Sequence, residues 1–347
     1  MTRAGFSRVM RKAFIYILLV GSAIVQAQRE NIVSFRDNLV LTSVINTKSE
    51  GFDFTNSLDQ TLEYSTAPIT GIGLGIDYKW LTFEYSKRLR SASDDGLYGH
   101  TENFGIGFGF TMPKWYFRNF LEQYSGYHIT NPDLVRFGYL DSIGMYPYRS
   151  DIITTRYYAS FNWVFNSDNY SNMASLWQLE RQEKSAGSFV LGATFGRSVL
   201  WGDSTFVPFK QRENFADIMD INYMTASTFT INTGYQYTFV LSNSKKWFLH
   251  LGLNPGLGLS SGTAVEQVND RFIDYPTKLA FSNEGRFIVG YNGDKWYFGY
   301  TAINYLTVDA SSNANPLSNF NNYNRLYLGY RFTLPKKVAD SLEKIGL

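Results

Sequence analysis

Ten charged residues fall where a period of two puts them on the polar side of apolar segments. They are Glu84, Arg118, Glu122, Arg156, Glu180, Lys184, Glu284, Arg286, Arg325 and Arg331. Arg118 and Glu122 share a face, as do Glu284 and Arg286, and so do Glu180, Gln182 and Lys184. Arg156 stands opposite Tyr157, Phe161 and Trp163, and Glu84 opposite Leu81, Phe83 and Tyr85. Charges placed this way either line a conduit or cleft and select what enters it, or pair across it and fill it.

Catalytic chemistry is poorly served by comparison. In "FLHLGLNPG", His250 shares its face with Gly252 and Asn254. At about 3.3 Å per residue, Asn254 is roughly 13 Å away and cannot orient an imidazole, and Gly252 holds the place of a same-strand serine nucleophile. His100 and His128 fall in irregular segments. No His-x-His spacing or His/Asp/Glu cluster suggests a metal. "GIGLG" and "GFGF" lack the third glycine and the helix of a phosphate loop. The expectation is a protein that is not an enzyme and carries no cofactor or metal.

The elements that position the ten charges are strands. In "STFTINTGYQYTF" (227–239), Phe229, Ile231, Tyr235, Tyr237 and Phe239 share one face, and polar or tiny residues share the other. "ITGIGLGIDY" (69–78) and "NFGIGFGF" (103–110) alternate large apolar residues with glycine. Tyr and Phe are abundant, at 25 and 28 residues, which favours strands.

Both ends carry signals. A basic start (Arg3, Arg8, Arg11, Lys12), the apolar run "AFIYILLVGSAIV" and the small residue Ala27 read as a cleaved export signal over 1–27. Removing those four basic residues from 32 leaves 28 against 30 acidic, a net charge of −2. Such a balance argues against nucleic acid as a partner. There is no cysteine, hence no disulfide framework and no thiolate metal site.

Lys-Trp pairs recur at 79–80, 114–115, 246–247 and 295–296, each beside a tight turn. Tryptophan concentrates where membrane meets water, and a neighbouring lysine can reach lipid phosphates. Trp80, Trp115, Trp247 and Trp296 therefore read as membrane-interface anchors. Short turns near 79, 112–114, 166–169, 242–245 and 292–295 alternate with long polar stretches at 47–68, 89–100, 127–150, 199–225, 261–277 and 307–321. Short periplasmic turns alternating with long external loops mark an all-β transmembrane antiparallel up-and-down barrel.

Twelve strands are expected, starting near 37, 69, 80, 101, 115, 152, 170, 226, 246, 279, 295 and 322. The seventh, 170–196, is too long for one crossing of roughly ten residues. It reads as one long strand, bulged at Gly187 and projecting outside. Splitting it at "EKSAG" would give thirteen strands instead. The barrel spans 28–334 and ends in "YLGYRFTL", where Gly329, Phe332 and Leu334 resemble a terminal assembly signal. The tail 335–347 could form a short periplasmic helix with Val338, Leu342 and Ile345 in one stripe.

Several segments, "GIGLGIDYKWLTFEY", "YSNMASLWQLERQEKSAGSF", "DSTFVP", "GYQYTFV" and "NPGLGL", resemble a Bacteroidota outer-membrane barrel family, domain-of-unknown-function family 4421. "ERQEKSAGSF" (180–189) is the most specific piece. The resemblance implies a fold and a location in the cell outer membrane, and no chemistry. Expected partners are outer-membrane lipid, the barrel-assembly machinery during biogenesis, and a small polar solute. The expected role is a narrow small-solute channel. The competing roles are a structural or docking barrel with a charge-plugged lumen and, less well supported, a lipid hydrolase.

Overall fold

The computed structural model describes residues 29–56, 58, 60–89, 95–131, 145–216, 218–268, 270–309 and 318–344. The segment 1–27, expected to be an export signal, and Ile345 lie outside them. Strands β1 (Ile32–Ser34), β2 (Asn38–Thr55), β3 (Thr61–Ser65), β4 (Ile69–Tyr78), β5 (Leu81–Arg88), β6 (Glu102–Thr111), β7 (Trp115–Ile129) and β8 (Tyr148–Val164) form the first half. The second half holds β9 (Glu180–Gln182), β10 (Ala186–Trp201), β11 (Ile221–Val240), β12 (Trp247–Glu266), β13 (Phe272–Asn292), β14 (Trp296–Asp309) and β15 (Ser318–Thr333). Twelve of these close a ring in sequence order, β2-β4-β5-β6-β7-β8-β10-β11-β12-β13-β14-β15, with every neighbour antiparallel. Arg331 of β15 pairs with Val40 of β2 to shut it. The expected transmembrane barrel is present.

Alternation decides which way each side chain points. Leu41, Ile45, Ile72, Leu74, Phe83, Phe108, Leu191, Phe229, Leu253, Leu257, Phe287 and Leu328 all project outward as exposed apolar groups. A belt of that extent is stable only against lipid, and closure leaves no unpaired strand edge there. Among the described residues no helix is long and apolar enough to cross a membrane. Strands do the crossing.

The four tryptophans lie on the outer wall at the short-turn end, each in an aromatic group. Trp80 packs on Phe110, and Trp115 stacks on Phe161. Trp247 meets Tyr291 and Phe298, and Trp296 meets Tyr330. Gly329 faces inward, where a Cβ would collide with the Tyr297 ring. Phe332 faces outward against Tyr330, and Leu334 follows the strand.

Three expectations need correction. The strands run on past their predicted ends, so 47–68 and 261–277 are mostly strand. Lys48, Glu50, Phe52 and Phe54 continue the inward set of β2, and β3 folds back on its outer end. Next, 166–169 does turn, with the Asn166 carbonyl accepting from the Asn169 and Tyr170 N–H groups, but it does not lead into the next wall strand. Finally, 170–198 is not one bulged strand: β10 begins at Ala186, with regular pairing through Gly187. Residues 165–185 turn into the barrel and fill its short-turn end. A helix, Asn172–Leu176, lies within them, and every one of its residues is buried. A short helix, Lys336–Glu343, follows the barrel with no buried residue.

With no native cysteine, topology is open to single-thiol labelling. Lys295→Cys at a short turn and Phe209→Cys in the long β10–β11 connection lie at opposite ends. An impermeant maleimide on intact cells should label the second and spare the first. Equal labelling would refute the orientation.

Candidate functional site

The inward segment 165–185 is a plug, and its local sequence explains its form. Ser171 caps the helix by accepting from the Ala174 N–H at 3.0 Å, and its hydroxyl donates to Glu180 Oε2 at 2.5 Å. Tyr170, Met173, Leu176 and Leu179 recur at helical spacing and reach three sides of the wall. Met173 and Leu179 join Val40, Val44, Tyr297 and Tyr327. Tyr170 joins Tyr116, Val164 and Val190, and Leu176 joins Phe248, Ile288 and Ile303. Gln178 holds a left-handed φ of 52°, which ends the helix and turns its carbonyl toward Arg331.

Three wall arginines grip this plug. Arg331 donates to the Gln178 and Gly293 carbonyls, and to Asn292 Oδ1 at 2.6 Å. Arg325 donates to the Leu176 carbonyl at 2.9 Å, at the helix's C-terminal end. Arg286 reaches Asn172 Oδ1 at 3.2 Å and the Tyr116 hydroxyl at 3.0 Å. The N-terminal segment adds a stitch, because β1 pairs with β9 of the plug and Arg29 pairs with Glu180.

Above the plug the remaining charges pair in tiers. Glu284 accepts from Arg286, from Arg118 Nη2 at 3.0 Å and from the Tyr158 hydroxyl at 3.1 Å. Glu84 meets Arg325 at 3.1 Å and the Tyr323 hydroxyl at 2.8 Å. Lys48 meets Glu122 at 2.6 Å, and Arg156 lies 3.5 Å from Glu50. Glycines make room for these long side chains. At Gly105 an added Cβ would stand 3.3 Å from Lys48 Nζ and 3.5 Å from Glu122 Oε1. The far mouth is capped by an apolar cluster that includes Phe52, Phe54, Tyr64 and Tyr127. Phe206 and Phe215, from the β10–β11 connection, lie in it.

Between plug and cap lies a cavity of about 160 Å³, lined by Lys48, Glu84, Arg118, Glu122, Arg156, Glu284 and Arg325 among others. Eight of the ten expected charges thus face the lumen from barrel strands. The other two do not, for a physical reason: a segment that folds back inside the wall follows its own contacts and not the pleat. Glu180 is in the lumen but on the plug, fully buried against Arg29 and Ser171. Lys184 is exposed at the plug's exit and is not a lumen charge. The sequence reading missed Lys48, Glu50, Arg29 and the plug. Lys48 and Glu50 share the parity of Val40 and Val44, but polar residues on both faces from Asn46 to Glu50 hid the continuing strand. Helical spacing after Ser171 could have revealed the plug.

His250 is fully buried, with Nδ1 3.0 Å from the Thr238 hydroxyl and its ring over Tyr170 of the plug. Outside the wall, Asp294 in the β13–β14 turn takes Arg181 of the plug at 2.6 Å and Lys246 at 2.9 Å. Hydrogen bonds from those two cations hold its carboxyl down at about 2.

The family model described as domain of unknown function (DUF4421) matches residues 30–332. No curated protein matches the sequence. Among solved structures, the outer membrane protease OmpT from Escherichia coli is similar at 9% identity and a TM-score of 0.39. The match covers 89% of this chain and 99% of that one. The translocator domain of autotransporter NalP from Neisseria meningitidis is similar at 11% identity and a TM-score of 0.36, covering 95% and 98%. The beta domain of the Bordetella autotransporter BrkA gives 11% and 0.36, covering 85% and 100%.

Two outcomes follow for the plug. Arg331→Met leaves buried carbonyls without donors, which should cost on the order of 3 kcal/mol. Urea titration of the folded gel band in lipid checks this, and an unshifted midpoint would contradict the clamp. The Asp294 pairing should be unaffected by pH from 8 down to 5. A depressed carboxyl keeps its full contribution above the unfolded value near 4 and loses it as pH falls toward about 2. Asp294→Asn should therefore lower the wild-type midpoint equally at pH 5 and pH 8. A difference between the two would count against it.

Proposed function

The chain belongs to the family described as domain of unknown function (DUF4421), and from that premise we propose an outer-membrane small-solute channel that is shut at rest. The lipid-facing belt and closed ring support residence in the outer membrane, where spanning barrels of this build occur. The observation that carries the channel reading is the unfilled cavity with charged residues in its lining, between plug and cap. A barrel whose lumen served only for rigidity would be packed through, since protein interiors are normally filled to crystal-like density.

The plug supports a gate. It is one continuous segment entering from one end, and polar contacts from Arg286, Arg325 and Arg331 secure it. Polar contacts can be exchanged for water as the segment withdraws, at a net cost of roughly 1.5–3 kcal/mol for each hydrogen bond from a charged group. The second reading is a docking barrel, and closure at both ends favours it.

Planar-bilayer recording separates the two. Wild type should be silent or nearly so. Replacing residues 167–184 with a two-residue turn should yield steady conductance from a barrel that still shows heat-modifiable migration. An inserted, plug-less barrel that conducts nothing would remove the channel reading and leave the docking barrel.

A further inference from the structure

The central cavity has a chemical bias that its ion pairs do not exhaust. Three N–H groups on its lining residues are buried without a protein partner: Arg118 Nε, Arg325 Nε and Asn254 Nδ2. Arg118 and Asn254 are each only 4% exposed, so bulk water does not serve them. A buried donor without an acceptor costs about 1–3 kcal/mol, more when charged, and three around one space is an unusual concentration. Three donors stand against one unpartnered acceptor on the lining, Asn283 Oδ1, so the complement they call for carries mainly acceptor oxygens.

Charge points the same way. Lys48, Arg118, Arg156 and Arg325 line the cavity against Glu84, Glu122 and Glu284. Glu50, the partner of Arg156, stands outside the lining, and Asp77 borders a smaller annex. Arg118 and Arg325 bond through their terminal nitrogens and keep Nε–H without a partner, a donor that suits a carboxylate or phosphate oxygen.

The opposite wall differs in kind. Asn162, Thr194, Thr230, Asn232 and Ser282 present amides and hydroxyls without charge. Trp177 of the plug and Tyr305 add aromatic faces. Such a wall matches hydroxyl groups and a ring edge rather than a second charge. The volume of about 160 Å³ suits a single ring, since a cavity of about 150 Å³ admits a benzene-sized guest.

We propose that the cavity between plug and cap binds a small oxyanion on a hydroxylated, ring-sized body, with Arg118, Arg156, Arg325 and Asn254 donating to its oxygens. This rests on the channel reading for its purpose, as the solute held in transit, but its chemistry stands on the cavity alone.

Calorimetric titration of the full-length, detergent-solubilised barrel tests it with three probes: D-glucuronate, D-glucose and inorganic phosphate. Glucuronate differs from glucose by the carboxylate at one carbon. Saturable glucuronate binding is expected, with glucose at least tenfold weaker. Phosphate alone should compete with glucuronate, and phosphate binding as tight as glucuronate would overturn the role given to the hydroxylated wall. Arg156→Gln and Asn254→Ala, each confirmed as folded by heat-modifiable migration, should each weaken glucuronate at least fivefold. No saturable binding of either anion overturns the proposal, and so does glucose bound as tightly as glucuronate or affinity unchanged in both variants. Binding without conductance from the plug-less barrel would remove the channel reading alone. Conductance without binding would remove this proposal alone.

Discussion

A ring of twelve strands encloses more space than its own inward side chains can fill, whereas an eight-stranded ring is filled by them. The rest of this molecule answers that constraint. The short-turn end takes in a stretch of its own chain, the opposite mouth is closed by an aromatic cluster, and the middle is bridged by long ionic side chains. Each solution uses the groups available at that height. Where helical apolar residues can reach the wall, the contact is apolar. Where only side chains span the gap, arginine and glutamate do so.

Arginine does most of the bridging because its fork can serve two partners at once. Arg325 holds Glu84 with one nitrogen and the end of the plug helix with another. Arg286 divides itself between Glu284, Asn172 and Tyr116. Through these shared residues the ionic tiers and the plug form one network. Withdrawal of the plug would therefore strip partners from groups that also shape the central cavity. Plug and cavity are coupled by construction.

The charges are on the inner face because the outer face excludes them. A charge at the midplane of the lipid face costs roughly 2–4 kcal/mol, and burying one inside is tolerable only when it is paired and hydrogen-bonded. Glu284 meets that condition with two arginines and a tyrosine. Arg118 and Arg325 meet it incompletely, each keeping an N–H without a partner.

Period-two alternation, Lys-Trp turns and turn spacing were enough to read the barrel, its strand number and the inward face of eight charges from sequence. The reason is local: in a strand, side-chain direction follows from position alone. The same rule failed for Glu180 and Lys184, because residues 165–185 leave the wall and their direction depends on what they meet inside it. Which arginine reaches which carboxylate was also hidden. Arg118 finds Glu284 across the lumen, 166 residues along the chain, and no local pattern encodes that distance. Strand, face and membrane belt belong to the sequence by itself. Plug, pairing and cavity were decided only by the closed ring, because closure brings opposite walls within reach of one another.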